Sequence, residues 1–478
     1  MRDKNKHYLC KKNLSFNSKP KKPTLNAMQI ILSFLFALVV TAAVFAQPTH
    51  SEMDERYSAK GVESTGNWKG GANVQTVIED AKGNFIFGGK AAIDDSKEPT
   101  DWYGIYTMES KTIEAYSKKR PNAIQDCILL PDDRVMAIAN PFVEIRNVEN
   151  QNEGSGWSQT EGIGFERGVL NPSTGNVILF GVNKLQDMRP AIWIDKQDKD
   201  EKASVYQCPK ALSVGYNSFE SYHKNSFATI NNEQFAMWAY EAKYNEYEQE
   251  AVIGLVACKE GDRGYSYDKI DVQKCVNNFV SDFRPYTSYE NKAYEKIYKV
   301  QWAISGIHPK EDGTFLITAS FIHWTSTSTG KPAYQKGILG VEYDINQDNS
   351  ITDTWVVFPW KATDKWTNHE SYEINPYYTS YIGNNDIAVF DQQTGFLFAI
   401  NSDLDAQKSN EGSSTWIEKS EALQYQLINS RVIQKIDPAG YSLGFAHPNT
   451  TPENGQRKNI TLVQYQKQGN FAIIKFNP

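Results

Sequence analysis

Cysteine is scarce in this chain of 478 residues, and no C-x-x-C pair occurs, which excludes zinc ribbons and thioredoxin-like redox motifs. His50, His223, His308, His323, His369 and His447 are scattered, without the H-x-H or H-E-x-x-H spacing that would bring two imidazoles to one metal. There is no G-x-S-x-G elbow for an activated serine and no P-loop to cradle phosphates. A basic excess is missing too: 50 Lys and Arg against 57 Asp and Glu give −7, so no nucleic-acid partner is expected. The first 46 residues hold eight of the bases and one acid, so the remainder carries 42 − 56 = −14. Disorder is excluded by 40% hydrophobic and 13% aromatic content against 22% charged. Length alone suggests roughly two to three domains.

The one long apolar run is MQIILSFLFALVVTAAVFA, from Met28 to Ala46, which follows a basic stretch and ends in small residues before Gln47 and Pro48. That is the pattern of a secretory signal with its cleavage site. The expected division is therefore 1–46 as basic region and signal peptide, 47–73 as lead-in and 74–478 as the folded domain. The product would be secreted or periplasmic, with an uncleaved signal anchor as the alternative and no other membrane contact. Translation from Met28 would shorten the unusually long basic stretch. No cysteine follows the run, which argues against a lipid-anchored lipoprotein. Cleavage would leave Cys127, Cys208, Cys258 and Cys275. Export permits disulfides, and the short separation makes Cys258–Cys275 the simplest pair; buried free thiols are the other reading.

Beyond residue 73 one unit recurs: an apolar strand, a short turn of Gly, Asn or Asp, and a second apolar strand. Its seven copies are VQTVIEDAKGNFIFGG (from Val74), IQDCILLPDDRVMAIAN (Ile124), FERGVLNPSTGNVILFGV (Phe165), NSFATINNEQFAMWAYE (Asn225), WAISGIHPKEDGTFLITAS (Trp302), YTSYIGNNDIAVFDQ (Tyr378) and RVIQKIDPAGYSLGFAH (Arg431). The turn residues, Gly83, Asp133, Gly175, Asn232, Gly313, Asn385 and Gly440, tolerate the positive φ that tight hairpins demand. Most units add a more polar second hairpin, such as GILGVEYDINQDNSITDTWVVF and the terminal ITLVQYQKQGNFAIIKF. Four strands with two apolar faces must stack on neighbours, and radial stacking makes a propeller. The expected fold is all-β, a β-propeller of seven four-stranded blades, with six or eight blades or a pair of β-sandwiches as alternatives. Ring closure would rest on packing or on a strand from residues 55–73.

These units resemble bacterial secreted β-propeller repeat proteins. Three turns between outer strands resemble degraded Asp boxes (S-x-D-x-G-x-T-W) of sialidase-type propellers: Ser409–Trp416, Asn150–Trp157 and Asp348–Trp355. In that family the motif is structural, tying an outer hairpin through its Trp and acid. A sialidase would further need an arginine triad, of which only Arg167 and Arg431 can be placed.

In a propeller the connections between second and third strands, and between blades, share one face. The segments AAIDDSKEPTDW, EAKYNEYEQE, HWTSTSTGKPAY and HPNTTPENGQRKN, with residues 272–300 and 358–377, would place the chain's excess length there. Loops on a rigid scaffold carry function. The innermost strands would start at that face with Gln75, Asp126, Glu166, Arg167, Trp302, Tyr378 and Arg431, a candidate polar pocket or a solvated channel mouth. Tyr244, Tyr247, Tyr286, Tyr289, Trp324, Trp360, Trp366, Tyr372, Tyr377 and Tyr378 add rings suited to sugars or protein partners, or to packing the insertions onto the blades. Asp344, Asn346, Asp348 and Ser350 form the front half of a calcium-type loop, although Asn349 and Trp355 stand where glycine and the bidentate acid belong; an outer hairpin turn is the alternative. No other cofactor is expected. The sequence thus favours a monomeric binding module for a glycan or an extracellular protein. A glycan-cleaving hydrolase or lyase using Asp126 and Glu166 is the second reading, and a purely structural ring the third.

Overall fold

The computed structural model describes, within the compact unit His50–Pro478, the strands named below, a two-stranded hairpin of Thr287–Lys292 and Glu295–Val300, one short helix, and several tight turns with flanking residues. Residues 1–53, with the apolar run, and most longer connections lie outside the described residues. Among the described residues no helix is long and apolar enough to cross a membrane.

Among the described residues, seven antiparallel sheets of at least four strands follow one another. The first contains Asn73–Glu79, Phe85–Ala92, Pro99–Thr107 and Thr112–Lys118. The second contains Asp126–Leu129, Arg134–Ala139, Phe142–Asn147 and Gly154–Ser158, and the third Ile163–Leu170, Val177–Asn183, Arg189–Asp195 and Ser204–Gln207. The fourth has Phe227–Thr229, Phe235–Lys243, Val252–Lys259 and Tyr265–Asp271, with Ser213–Val214 also on its second strand. The fifth has Trp302–Pro309, Phe315–Ser326, Pro332–Tyr343 and Ile351–Val357. Tyr378–Gly383, Asp386–Asp391, Phe396–Asn401 and Ser430–Lys435 make the sixth. The seventh takes Tyr441–Phe445, Ile460–Gln466 and Asn470–Phe476 from the end of the chain and Asp54–Ser58 from its beginning.

The first-named strand of each sheet lies beside the first-named strand of the next, and that of the seventh lies beside that of the first. Most of these inner strands carry a bulge, at Gln75, Glu166, Ser305, Ile382 and Leu443, which sharpens their local twist. Gly175, Gly313 and Asn385, expected at the inner turns, all have positive φ.

Side-chain alternation explains the near-continuous apolar strands. In Phe315–Ser326, Phe315, Ile317, Ala319 and Phe321 pack against the fourth sheet, in one core with Met237, Ile253 and Leu255. Leu316, with Ile338 and Trp355, packs the other way, against Tyr381, Ile387, Val389 and Phe398 of the sixth. A strand buried on both faces needs both residue sets apolar. The same layering joins first to second, second to third and sixth to seventh sheets.

Three expectations change. RVIQK is not an inner strand: Ser430–Lys435 is the outer strand of the sixth sheet, with Arg431 opposite Ala399. That position is open because Ser414–Glu418 and Gln424–Ile428 pair with each other as a separate hairpin. ITLVQYQ and NFAIIKF consequently become second and third strands, and HPNTTPENGQRKN joins first to second. The fourth strand comes from the lead-in, Asp54–Ser58, with Asp54 opposite Ile474 and Ser58 opposite Asn470. Lastly, Cys258 and Cys275 are not bridged, since Cys275 is a buried free thiol, as is Cys127. Cys258 lies opposite Tyr265 and Ala236, whereas the helix Val272–Asn277 begins after Asp271, opposite Val252. The strand from Val252 to Cys258 spans about 20 Å, far beyond disulfide reach. Burial and the Asp271 charge, opposed by Lys274, raise the Cys275 thiol to about 11, so it stays protonated.

Tyr343 donates to Asp268 at 3.1 Å, joining fifth and fourth sheets. Burial chiefly, then the nearby Asp268 and Asp344, raise its pKa to about 12 against the pull of Ser350. A phenol that holds its proton more tightly when folded adds stability that is whole below about pH 10 and lost toward about pH 12. Urea midpoints are therefore expected to fall across that window. Tyr343→Phe should flatten part of the fall, leaving the share of Tyr381, whose pKa burial and Glu311 also raise.

Candidate functional site

The described residues of the sequence-derived pocket take different places. Asp126 is buried, and its carboxylate accepts from Thr76 Oγ1 at 3.1 Å, the Cys127 amide at 3.0 Å and the Gly168 amide at 3.1 Å. It thereby joins the inner strands of the first, second and third sheets. Arg167 donates to the Gln125 carbonyl across the same seam. Trp302 and Tyr378 are buried in cores between sheets, with Tyr378 also donating to Gln392 at 3.4 Å, and Arg431 stands on an outer strand. Gln75 and Glu166 are the bulged residues of their strands; their side chains lie outside the described residues. Asp126→Ala would strand three donors and is expected to cost about 3 kcal/mol, read as a shift in the urea midpoint.

The calcium-type loop is a turn between outer strands. Asp344 accepts from the Asn346 amide at 2.9 Å and from the Gln347 side chain at 2.6 Å, while its own amide donates to the Ser350 carbonyl at 2.7 Å. Asp348 lies outside the described residues, and among those described no His, Cys, Asp and Glu cluster is arranged for a metal. Tyr377, expected in a loop, is fully buried; the side chains of the other singled-out rings, Tyr378 aside, lie outside the described residues.

The polar residues that do converge lie between fifth and sixth sheets, and sequence reading missed them. On the sixth-facing row of Phe315–Ser326, Leu316 is followed by Thr318 and Ser320. Thr318 Oγ1 lies 2.8 Å from Thr379 Oγ1, which lies 3.0 Å from His308 Nε2. Ser320 Oγ contacts Ser305 Oγ at 2.5 Å and accepts from the Tyr377 amide at 2.8 Å. Gly306 allows this approach, because a Cβ there would stand 2.7 Å from the His308 ring and 2.9 Å from Thr379 Oγ1.

At the end of the seam where the inner strands begin, Lys336 Nζ sits 3.2 Å from Asp391 Oδ1 and 3.8 Å from the centre of the Tyr377 ring. The two side chains are only 6% and 1% exposed. Burial pulls the Lys336 pKa down, partly opposed by Asp391. The available signal was polar residues inside apolar strands: Thr and Ser in FLITASF, Lys in QKGILGV, Asp closing IAVFD.

No family model matches the sequence, and no curated protein does. Among solved structures, the chain is similar to dihydro-heme d1 dehydrogenase NirN in complex with DHE, at 8% identity and TM-score 0.38, over 90% of this chain and 80% of that one. It is similar to Sqt1 of Chaetomium thermophilum bound to the N-terminus of ribosomal protein L10, at 10% and 0.40, over 89% and 100%. YCF48 bound to D1 peptide gives 7% and 0.39, over 90% and 98%. These proteins are unrelated to one another in description, and similarity at this level assigns this chain to no single family.

Proposed function

We propose that the chain is an exported seven-bladed β-propeller, closed by its N-terminal strand, that binds a glycan or an extracellular protein at the edge where its inner strands begin. Support for the ring comes from the inner strands, whose neighbours return to the first sheet after the seventh. The observation that carries the binding reading is where the long connections leave. By the antiparallel order of the strands, 59–72, 208–226, 272–301 and 358–377 all join an outer strand to the next inner one, at that edge. Against them, 402–429 and 446–459 leave the opposite edge. Binding is preferred to hydrolysis because Asp126, the acid a hydrolase would use, is committed to holding three sheets together. The export reading rests on the run Met28–Ala46.

A glycan array probed with the mature chain, alongside capture by extracellular proteins of the host, tests this. Binding is expected to disappear in a folded Trp360→Ala/Trp366→Ala/Tyr372→Ala variant of the 358–377 connection. Binding that survives there but is lost when 446–459 is replaced would place the ligand on the wrong edge and overturn the proposal.

A further inference from the structure

We propose that Lys336 and Asp391 condense into an intramolecular amide that ties the fifth sheet covalently to the sixth. Three features of the pair point to this chemistry. The amine nitrogen lies 3.2 Å from Asp391 Oδ1, the oxygen bonded to the carbon that would be attacked. Both side chains are almost wholly shielded from water, where a charged pair is a poor source of stability and proton transfer within it removes both charges. The Tyr377 ring lies against the nitrogen at 3.8 Å, and its backbone is pinned by Ser320, so the amine has little freedom to leave the carboxyl.

The step balances without any other reagent. A proton passes from the Lys336 ammonium to the Asp391 carboxylate, giving a free amine and a carboxylic acid. The burial that pulls the Lys336 pKa down favours the free amine. The nitrogen lone pair attacks Cγ, a C–N bond forms, and a C–O bond breaks. The departing oxygen leaves as water, carrying the acid proton and one proton from nitrogen. Condensation is unfavourable between free groups in water, but effective molarities of about 10⁵ M or more speed it for held groups, and exclusion of water withholds the reagent of the reverse hydrolysis. The product joins two strands of different sheets, Pro332–Tyr343 and Asp386–Asp391, at the edge where the long connections leave.

Mass spectrometry of the purified full chain under denaturing conditions provides the test. After allowing for the substitution itself, the wild type is expected to be lighter than Lys336→Arg by one water. Trypsin should fail to cleave after Lys336, and one branched peptide should contain both residues. An Asp391→Asn variant that condenses would lose ammonia instead. Normal cleavage after Lys336, with both linear peptides at their sequence masses, overturns the proposal. The wild-type digest distinguishes the branched from the linear peptides even if neither variant folds.

Discussion

A chain that begins at Ala59 is expected to lose its folded state, or most of it. Asp54–Ser58 is the fourth strand of the last sheet and pairs along its whole length with Asn470–Phe476. Its removal deletes a row of ladder hydrogen bonds at on the order of 1 kcal/mol each, roughly 5 kcal/mol together, comparable with the whole stability of many domains. The exposed edge is the sequence NFAIIKF, whose β-branched and aromatic residues and single charge make a template for pairing with other chains. The truncated protein should therefore aggregate during purification. A synthetic peptide of residues 50–59 should restore solubility by taking the vacant position. A truncated chain as soluble and as heat-stable as the parent would show that the strand does not close the ring.

Gly340→Val should be nearly as damaging through a different cause. Gly340 stands directly opposite Trp355, and the buried indole lies across it, so an ideal Cβ would come 2.0 Å from the ring. The ring cannot swing aside freely, because it also packs against Tyr381, Ile387 and Phe398 of the sixth sheet. Overpacking of this kind costs about 3 kcal/mol. Pairing Gly340→Val with Trp355→Leu should return part of the loss, and urea denaturation of the single and double variants checks both statements.

Trp355 also illustrates what could be read in advance. In the degraded Asp-box resemblance its turn keeps Thr354 and Trp355, which marked that Trp as structural; in the fold it is buried opposite Gly340. Turn chemistry was legible because Gly and Asn at left-handed positions leave a local signature, as at Gly175, Gly313 and Asn385. The identity of the last unit was not legible, because RVIQK has the same apolar alternation whether it is an inner or an outer strand. Only the long-range pairing of Phe396–Asn401 and the contribution from Asp54–Ser58 decide between them, and neither is a local property. The places of the candidate pocket residues were hard to read for a related reason. The first residues of inner strands point to one side of the sheet or the other according to a bulge that moves register by one. The Lys336 and Asp391 pair could not be foreseen because 55 positions separate its members, and their sheets become neighbours only in the folded chain.

The most direct test of the proposed ring is a cysteine pair placed across the two strands that would close it. Arg56 and Ala472 stand opposite each other in antiparallel register, a separation that a disulfide bridges. The Arg56→Cys/Ala472→Cys variant should form an intramolecular bond on air oxidation, visible as faster migration on a non-reducing gel and as a tryptic peptide joining the two ends of the chain. Two free, reactive thiols at these positions in the folded protein would contradict the ring.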